Sequence, residues 1–170
     1  MREIKINSTT GSEIVTRTEF KDYARISTSA DDSLIDDIIV QARIWCENYI
    51  SRDIVAKNRT YYVPKSDTGI FDIPFGPIAS ISSVHIDGVA NTDYEMLGIN
   101  NESIDLDGAA EKIKIVYVTS GISEKLLELA IKQLGATLYD NRHDFKTGTI
   151  VSNVPTETKA LLNSYKSMYI

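Results

Sequence analysis

Apolar residues along this chain recur at two different periods, and the switch between them sorts it into segments. From Asp31 to about Ile50, Ile35, Ile38, Ala42, Trp45 and Tyr49 step by three and four residues, the spacing that lines one face of an α-helix. Leu34, Ile39 and Cys46 widen that face, so the spacing predicts a helix packed on two sides. Asp31 and Asp32 stand at its start, where carboxylates complement the partial positive charge of a helix N-terminus. Ahead of it, Thr16-Arg17-Thr18-Glu19 has the spacing of a capping box and predicts a short helix from about Arg17 to Arg25, with Phe20, Tyr23 and Ala24 inward. Residues 1 to 14 are polar and weakly patterned, which predicts a flexible leader or at best a short strand.

Between about 55 and 119 the period falls to two. Arg59-Thr60-Tyr61-Tyr62-Val63 is rich in strand formers and runs into Pro64, an expected stop; Ile70-Phe71-Asp72-Ile73 resumes before Pro74. Ser80 to Ile86 alternates and meets Asp87-Gly88, a hairpin signal. Tyr94 to Leu97, Ser103 to Leu106 and Lys112 to Val118 extend the pattern, with Ile113, Ile115 and Tyr117 turned one way. Five or six strands of a small antiparallel layer are expected here.

The helical period returns at 120–142, where Leu127, Ile131, Leu134 and Leu138 step by four, three and four beneath a possible Ser123 cap. Gly135 costs about 1 kcal/mol against Ala in mid-helix, and its use is a close helix crossing. A polar loop at 143–154 and a final helical segment at 155–170, opened by Pro155, complete the chain. That segment carries Leu161, Leu162, Tyr165, Met168 and Tyr169, and a helix near twelve residues is marginal alone in water. It must pack on its own domain or on a neighbour, and the loop before it gives reach for a docking arm. The expected fold is α+β with a mainly helical core: two N-terminal helices at 15–54, one long C-terminal helix, a short terminal helix, and the β layer inserted at about 55–119. At 170 residues this suits one domain.

Composition narrows function by exclusion. With 42% hydrophobic and 25% charged residues the chain is ordinary globular material, and its net charge of -6 includes no dense Lys/Arg stripe, which disfavours a nucleic-acid reader. Acidity is compatible with letting DNA pass without gripping it, and equally with plain solubility. The single cysteine, Cys46, precludes an internal disulfide and fits a reducing compartment. No apolar run approaches a membrane span and no secretory h-region opens the chain.

Candidate chemistry is thin. Asp31, Asp32, Asp36 and Asp37 invite a hard cation, but such ions need several converging oxygens, and a charged helix start facing solvent accounts for them better. His85 and His143 have no His or Cys at i, i+4, against zinc. Cys46 lies on an apolar helix face, where a thiol is inert packing. No Gly-x-Ser-x-Gly elbow, Gly-x-x-x-x-Gly-Lys or Gly-x-Gly-x-x-Gly occurs. Arg142-His143-Asp144 is better read as a cation near a helix C-terminus than as a general base. No catalytic residue, cofactor or metal is expected.

Several segments in order resemble one family. Val15 to Ile26, Asp31-Asp32-Ser33-Leu34-Ile35 and Ala42 to Tyr49 look like the opening of tailed-phage head-tail connector (adaptor) proteins. Pro77 to Val84 resembles the strand after their Pro-rich turn. Leu126 to Arg142 is similar to their long helix with its Tyr-x-Asn-Arg close, and Pro155 to Lys166 to their terminal Leu-Leu-x-x-Tyr-Arg. Two departures stand out: Ser123-Glu124 replaces a Pro expected before the long helix, and Lys166 replaces the closing Arg, which weakens any bidentate contact to a partner carboxylate.

The resemblance implies a virion structural protein rather than an enzyme. It would be a homo-oligomeric ring, twelvefold to match the portal, sitting at the head-tail interface and assembled in the host cytoplasm. It would join the portal protein to a downstream neck or tail-completion protein around a channel through which DNA passes without sequence-specific binding, and without a membrane. On that reading Ile35, Ile38, Trp45, Tyr49, Leu127, Ile131, Leu134 and Leu138 build the subunit core. Arg142, Phe145, Val154, Pro155, Leu161, Leu162, Tyr165, Lys166, Met168 and Tyr169 would meet the portal or a neighbouring subunit. Two alternatives remain: another neck or tail-completion protein, or a small cytosolic enzyme or ligand-binding protein using the acidic residues.

Overall fold

The computed structural model describes residues 1–141 and 156–167. In chain order the elements are β1 (Glu3–Thr9), α1 (Arg17–Ala24), α2 (Asp32–Ile50), β2 (Lys57–Ser66), β3 (Ile70–Asp72), β4 (Ile78–Ile86), β5 (Val89–Asn91), β6 (Glu95–Leu97), β7 (Ser103–Asp105), β8 (Ala110–Thr119), α3 (Lys125–Asp140) and α4 (Thr156–Asn163). They group into two compact units, a β unit from Met1–Ser12 and Val55–Ile122 and a helical unit from Glu13–Ile54 and the described part of Ser123–Ser167.

The expectation of a mainly helical core is corrected here. Among the described residues helix and strand take equal shares, 33% each, and the strands form two antiparallel sheets. The sheet layer has a core of its own, which is why helices do not dominate the fold. A five-stranded sheet runs in the order β1-β2-β8-β4-β5, and a three-stranded sheet in the order β3-β7-β6. Ile113, Ile115 and Tyr117 of β8 are fully buried, as their alternation demands, and pack with Tyr61, Val63 and Val84 against Phe71, Ile73, Ile104 and Leu106. Tyr117 keeps its hydroxyl satisfied in that core by donating to the Pro74 carbonyl at 2.7 Å.

Two local expectations also change. β2 continues through Pro64 to Ser66, because Pro64 lies beyond the last β1 pairing, Glu3 opposite Tyr62, where one side of the strand has no neighbour. The polar leader contains β1, every residue of which is exposed. Its ladder to β2, helped by Asn7 donating to Asn58 Oδ1 at 2.7 Å and Thr60 Oγ1 at 2.9 Å, holds it there.

In the helical unit, α1 begins with the expected capping box. The Thr16 backbone N–H donates to Glu19 at 2.9 Å while the Glu19 N–H donates back to the Thr16 hydroxyl at 3.3 Å. Packing centres on α2 against α3, with Ile35, Ile38, Leu127, Ile131 and Leu134 buried and Trp45, Tyr49 and Leu138 half-buried. At the Gly135 crossing a Cβ would stand 2.6 Å from the Phe20 ring and 3.4 Å from Ile38, so only glycine lets α3 come this close to α1 and α2. Ser123 does not cap α3; Glu124 occupies that place without a side-chain cap bond.

Candidate docking surface

α4 is the part of the C-terminal segment within the described residues. Leu162 is 0% exposed, and Thr158 is buried with its hydroxyl 3.4 Å from Gln133 Oε1 on α3. Tyr49 of α2 donates its hydroxyl to Asn163 Oδ1 at 2.9 Å, and the Ser167 N–H donates to the Ile50 carbonyl at 2.9 Å, satisfying one of the free carbonyls at the end of α2. Lys166 Nζ lies 5.0 Å from the centre of the Tyr49 ring, which stacks on Trp45 at 5.2 Å with 11° between planes. So α4 is seated on α2 and α3 of its own chain. Leu162 is used up in that seating, while Leu161 and Tyr165 remain half-buried and Lys166 exposed. Lys166, Tyr49 and Trp45 are stacked in line, and Leu161 and Tyr165 are the partly exposed apolar side chains of the same segment. Arg142, Phe145, Val154, Pro155, Met168 and Tyr169 lie outside the described residues.

Of the acidic residues singled out in the sequence, Asp31, Asp32 and Asp36 have structural partners, and Asp37 is exposed. Asp36 accepts from Arg17 Nε at 2.8 Å and from its Nη2, and Asp32 from Lys21 at 2.7 Å and Arg17 at 3.3 Å, so α1 and α2 are joined by charge. The Lys21 hydrogen bond holds Asp32, and the Arg17 hydrogen bond Asp36, below the usual carboxylate range. Asp31 accepts from the Tyr139 hydroxyl at 2.6 Å, tying α2 to α3. Among the described residues no group of three or more His, Cys, Asp or Glu is placed to hold a metal. Burial pushes the Cys46 thiol up to about 12, far from a reactive thiolate. His85 leaves its Nδ1 buried with no hydrogen-bond partner among the described residues.

Sequence reasoning missed a buried ionic cluster. Arg43 donates from Nε to both oxygens of Glu13, at 3.0 and 2.9 Å, and from Nη1 to Glu47 at 2.7 Å. Glu47 in turn accepts the Ile54 N–H at 3.0 Å. Burial alone would lower the Arg43 pKa; the Glu13 hydrogen bond and the charge of Glu47 outweigh it and raise it. The available signal was the Arg43–Glu47 spacing of four on the same helix flank as Ile39 and Cys46.

What these features define is a protein of packed surfaces: an α+β chain whose polar side chains staple its elements. The family described as Phage gp6-like head-tail connector protein matches residues 16–114, more than half the chain, and the chain belongs to that family. Among curated proteins none matches. Solved structures share the fold over nearly the whole length. A chain from "Neck of empty GTA particle computed with C6 symmetry" aligns with a TM-score of 0.77 at 16% identity, over 99% of this chain and 97% of that one. A chain from "Virion of native gene transfer agent (GTA) particle" gives 0.72 at 15%, over 98% and 96%. A third, from "Neck of native GTA particle computed with C12 symmetry", gives 0.60 at 13%, over 96% and 97%.

Proposed function

We propose that this chain is a structural component of a phage neck, one subunit of a ring that joins the portal to downstream neck or tail proteins around the DNA channel. The family match over residues 16–114, from α1 through the middle of β8, carries the proposal. The fold likeness to chains from neck particles computed with sixfold and twelvefold symmetry supports a ring. In this reading Leu161, Tyr165, Lys166, Trp45 and Tyr49 meet the portal or a neighbouring subunit, together with Arg142, Phe145, Val154, Pro155, Met168 and Tyr169. An aromatic, amphipathic rim of this kind suits an interface, where one end of each ring is dry and the other wet.

The test is assembly. Phage particles made without this chain are expected to accumulate as DNA-filled heads lacking tails, and purified chain added back is expected to restore joining. Normal tailed particles in its absence would end the proposal. At the surface itself, Tyr165→Ala with Lys166→Glu is expected to weaken capture by immobilised portal, with circular dichroism of the free chain showing that the variant stays folded.

A further inference from the structure

The β unit carries opposite charge on its two outer faces. Its core lies between the sheets, so the faces turned away from that core are on opposite sides of the unit. On β3-β7-β6, Phe71, Ile104 and Met96 are in register and point inward. The alternate rows, Ile70–Asp105–Glu95 and Asp72–Ser103–Leu97, therefore face out. Glu95 and Asp105 stand directly opposite one another, a like-charge pair that weakens the ladder. Asp72 accepts only the Ser103 hydroxyl at 2.6 Å and Asp105 the Asp107 N–H at 2.9 Å; among the described residues no cation pairs with any of the three. Ile70 stands 49% exposed in the same surface.

The outer face of the five-stranded sheet is the counterpart. The row Glu3–Tyr62–Lys114–His85 and the row Lys5–Thr60–Val116–Ser83 face away from the core. Lys5 and Lys114 are exposed and make no ion pair among the described residues, while Tyr62 and Val116 are half-buried between them. Glu3 is the one acid in these rows. One unit thus offers an acidic surface with Ile70 at its edge on one side, and on the other a surface where Lys5 and Lys114 outnumber Glu3 around Tyr62 and Val116.

We infer that copies of this chain associate head to tail through the β unit, the Asp72–Glu95–Asp105 face of one copy against the Lys5–Lys114 face of the next. Two different, complementary patches on opposite sides make a heterologous contact, and such contacts close into rings when the rotation between copies allows. The inference rests on the ring reading above and adds which surfaces meet. Contact with the neighbour brings two cations, Lys5 and Lys114, to the three carboxylates and covers Ile70 and Val116.

Sedimentation of the full chain at concentrations up to about 1 mM tests it. Wild type is expected to associate, and the association to weaken on the order of tenfold when ionic strength rises from about 0.1 M to about 1 M and the screening length shrinks from about 10 Å to about 3 Å. Glu95→Lys with Asp105→Lys is expected to abolish self-association, as is Lys5→Glu with Lys114→Glu. A 1:1 mixture of the two variants is expected to associate again, and so is one chain carrying all four changes. Circular dichroism and melting of each variant separate loss of fold from loss of contact. Assembly indifferent to both reversals in folded variants overturns this inference and leaves the ring reading standing. Reversals that abolish portal capture but not self-association also overturn it. A wild-type chain that stays monomeric across the whole range overturns this inference and leaves the ring reading to the particle test above.

Discussion

Gly135 is where a single added carbon would be felt most. A methyl there meets the Phe20 ring at 2.6 Å, and Phe20 is fully buried. Gly135→Ala gains about 1 kcal/mol in helix propensity, yet overpacking costs about 1–3 kcal/mol. Urea unfolding is expected to show a net loss, relieved when Phe20→Leu is added; a simple gain in stability would mean the crossing relaxes freely. Arg43 is the second such residue. Arg43→Met takes the guanidinium from both Glu13 and the buried Glu47 and is expected to cost up to about 3–5 kcal/mol, measured by the same unfolding curves. Gly135 was legible in the sequence because a glycine inside a strong helical pattern needs a packing reason. The Arg43 cluster was not, since Glu13 lies thirty positions away and only the fold brings it in.

Elements differ in how plainly their residues announce them. In β8, strict alternation put Ile113, Ile115 and Tyr117 inward, and burial follows it. In α2 the steps of three and four found the helix but over-buried Trp45 and Tyr49, because periodicity gives a face and not its depth; their rings stack on each other at its margin. β1 alternates Ile4 and Ile6 with polar residues, but two isoleucines make a weak signal, and both remain exposed in the strand. The α1–α2 pairing has a pH signature. Glu19, Asp32 and Asp36 are all held below their ordinary values of 4.5, 3.8 and 3.8, by the Thr16 N–H, Lys21 and Arg17 respectively. A depressed acid contributes stability above its unfolded pKa and loses it as pH falls through the folded one. Thermal midpoints are therefore expected to hold from neutrality to about pH 5 and to fall below about pH 4. With Asp32→Asn and Asp36→Asn that acid limb should flatten; an unchanged limb would place the acid sensitivity elsewhere.

At the scale of the whole molecule, the C-terminal segment has changed standing. Its order of polar loop and short apolar helix reads as an arm, but Leu162 and Thr158 are buried against α2 and α3 of the same chain. Deleting 156–170 is accordingly expected to destabilise the helical unit, and Leu162→Ala alone to cost about 2–5 kcal/mol. Trp45 is the chain's one tryptophan and lies in that unit, so its fluorescence reads the loss directly. A truncated chain that melts like the full one would restore the free-arm view. The interleaving of the two units has a further consequence for synthesis. β1 is made before the helices, but its partner strand begins only at Lys57, after all of α1 and α2. Those helices in turn wait for α3 and α4, which come after the whole β unit. Each unit thus holds an unfinished surface open while the other is being made, an apolar α2 face for the longest time. Translation speed between Asp32 and Lys125 sets how long that face must be kept from other nascent chains.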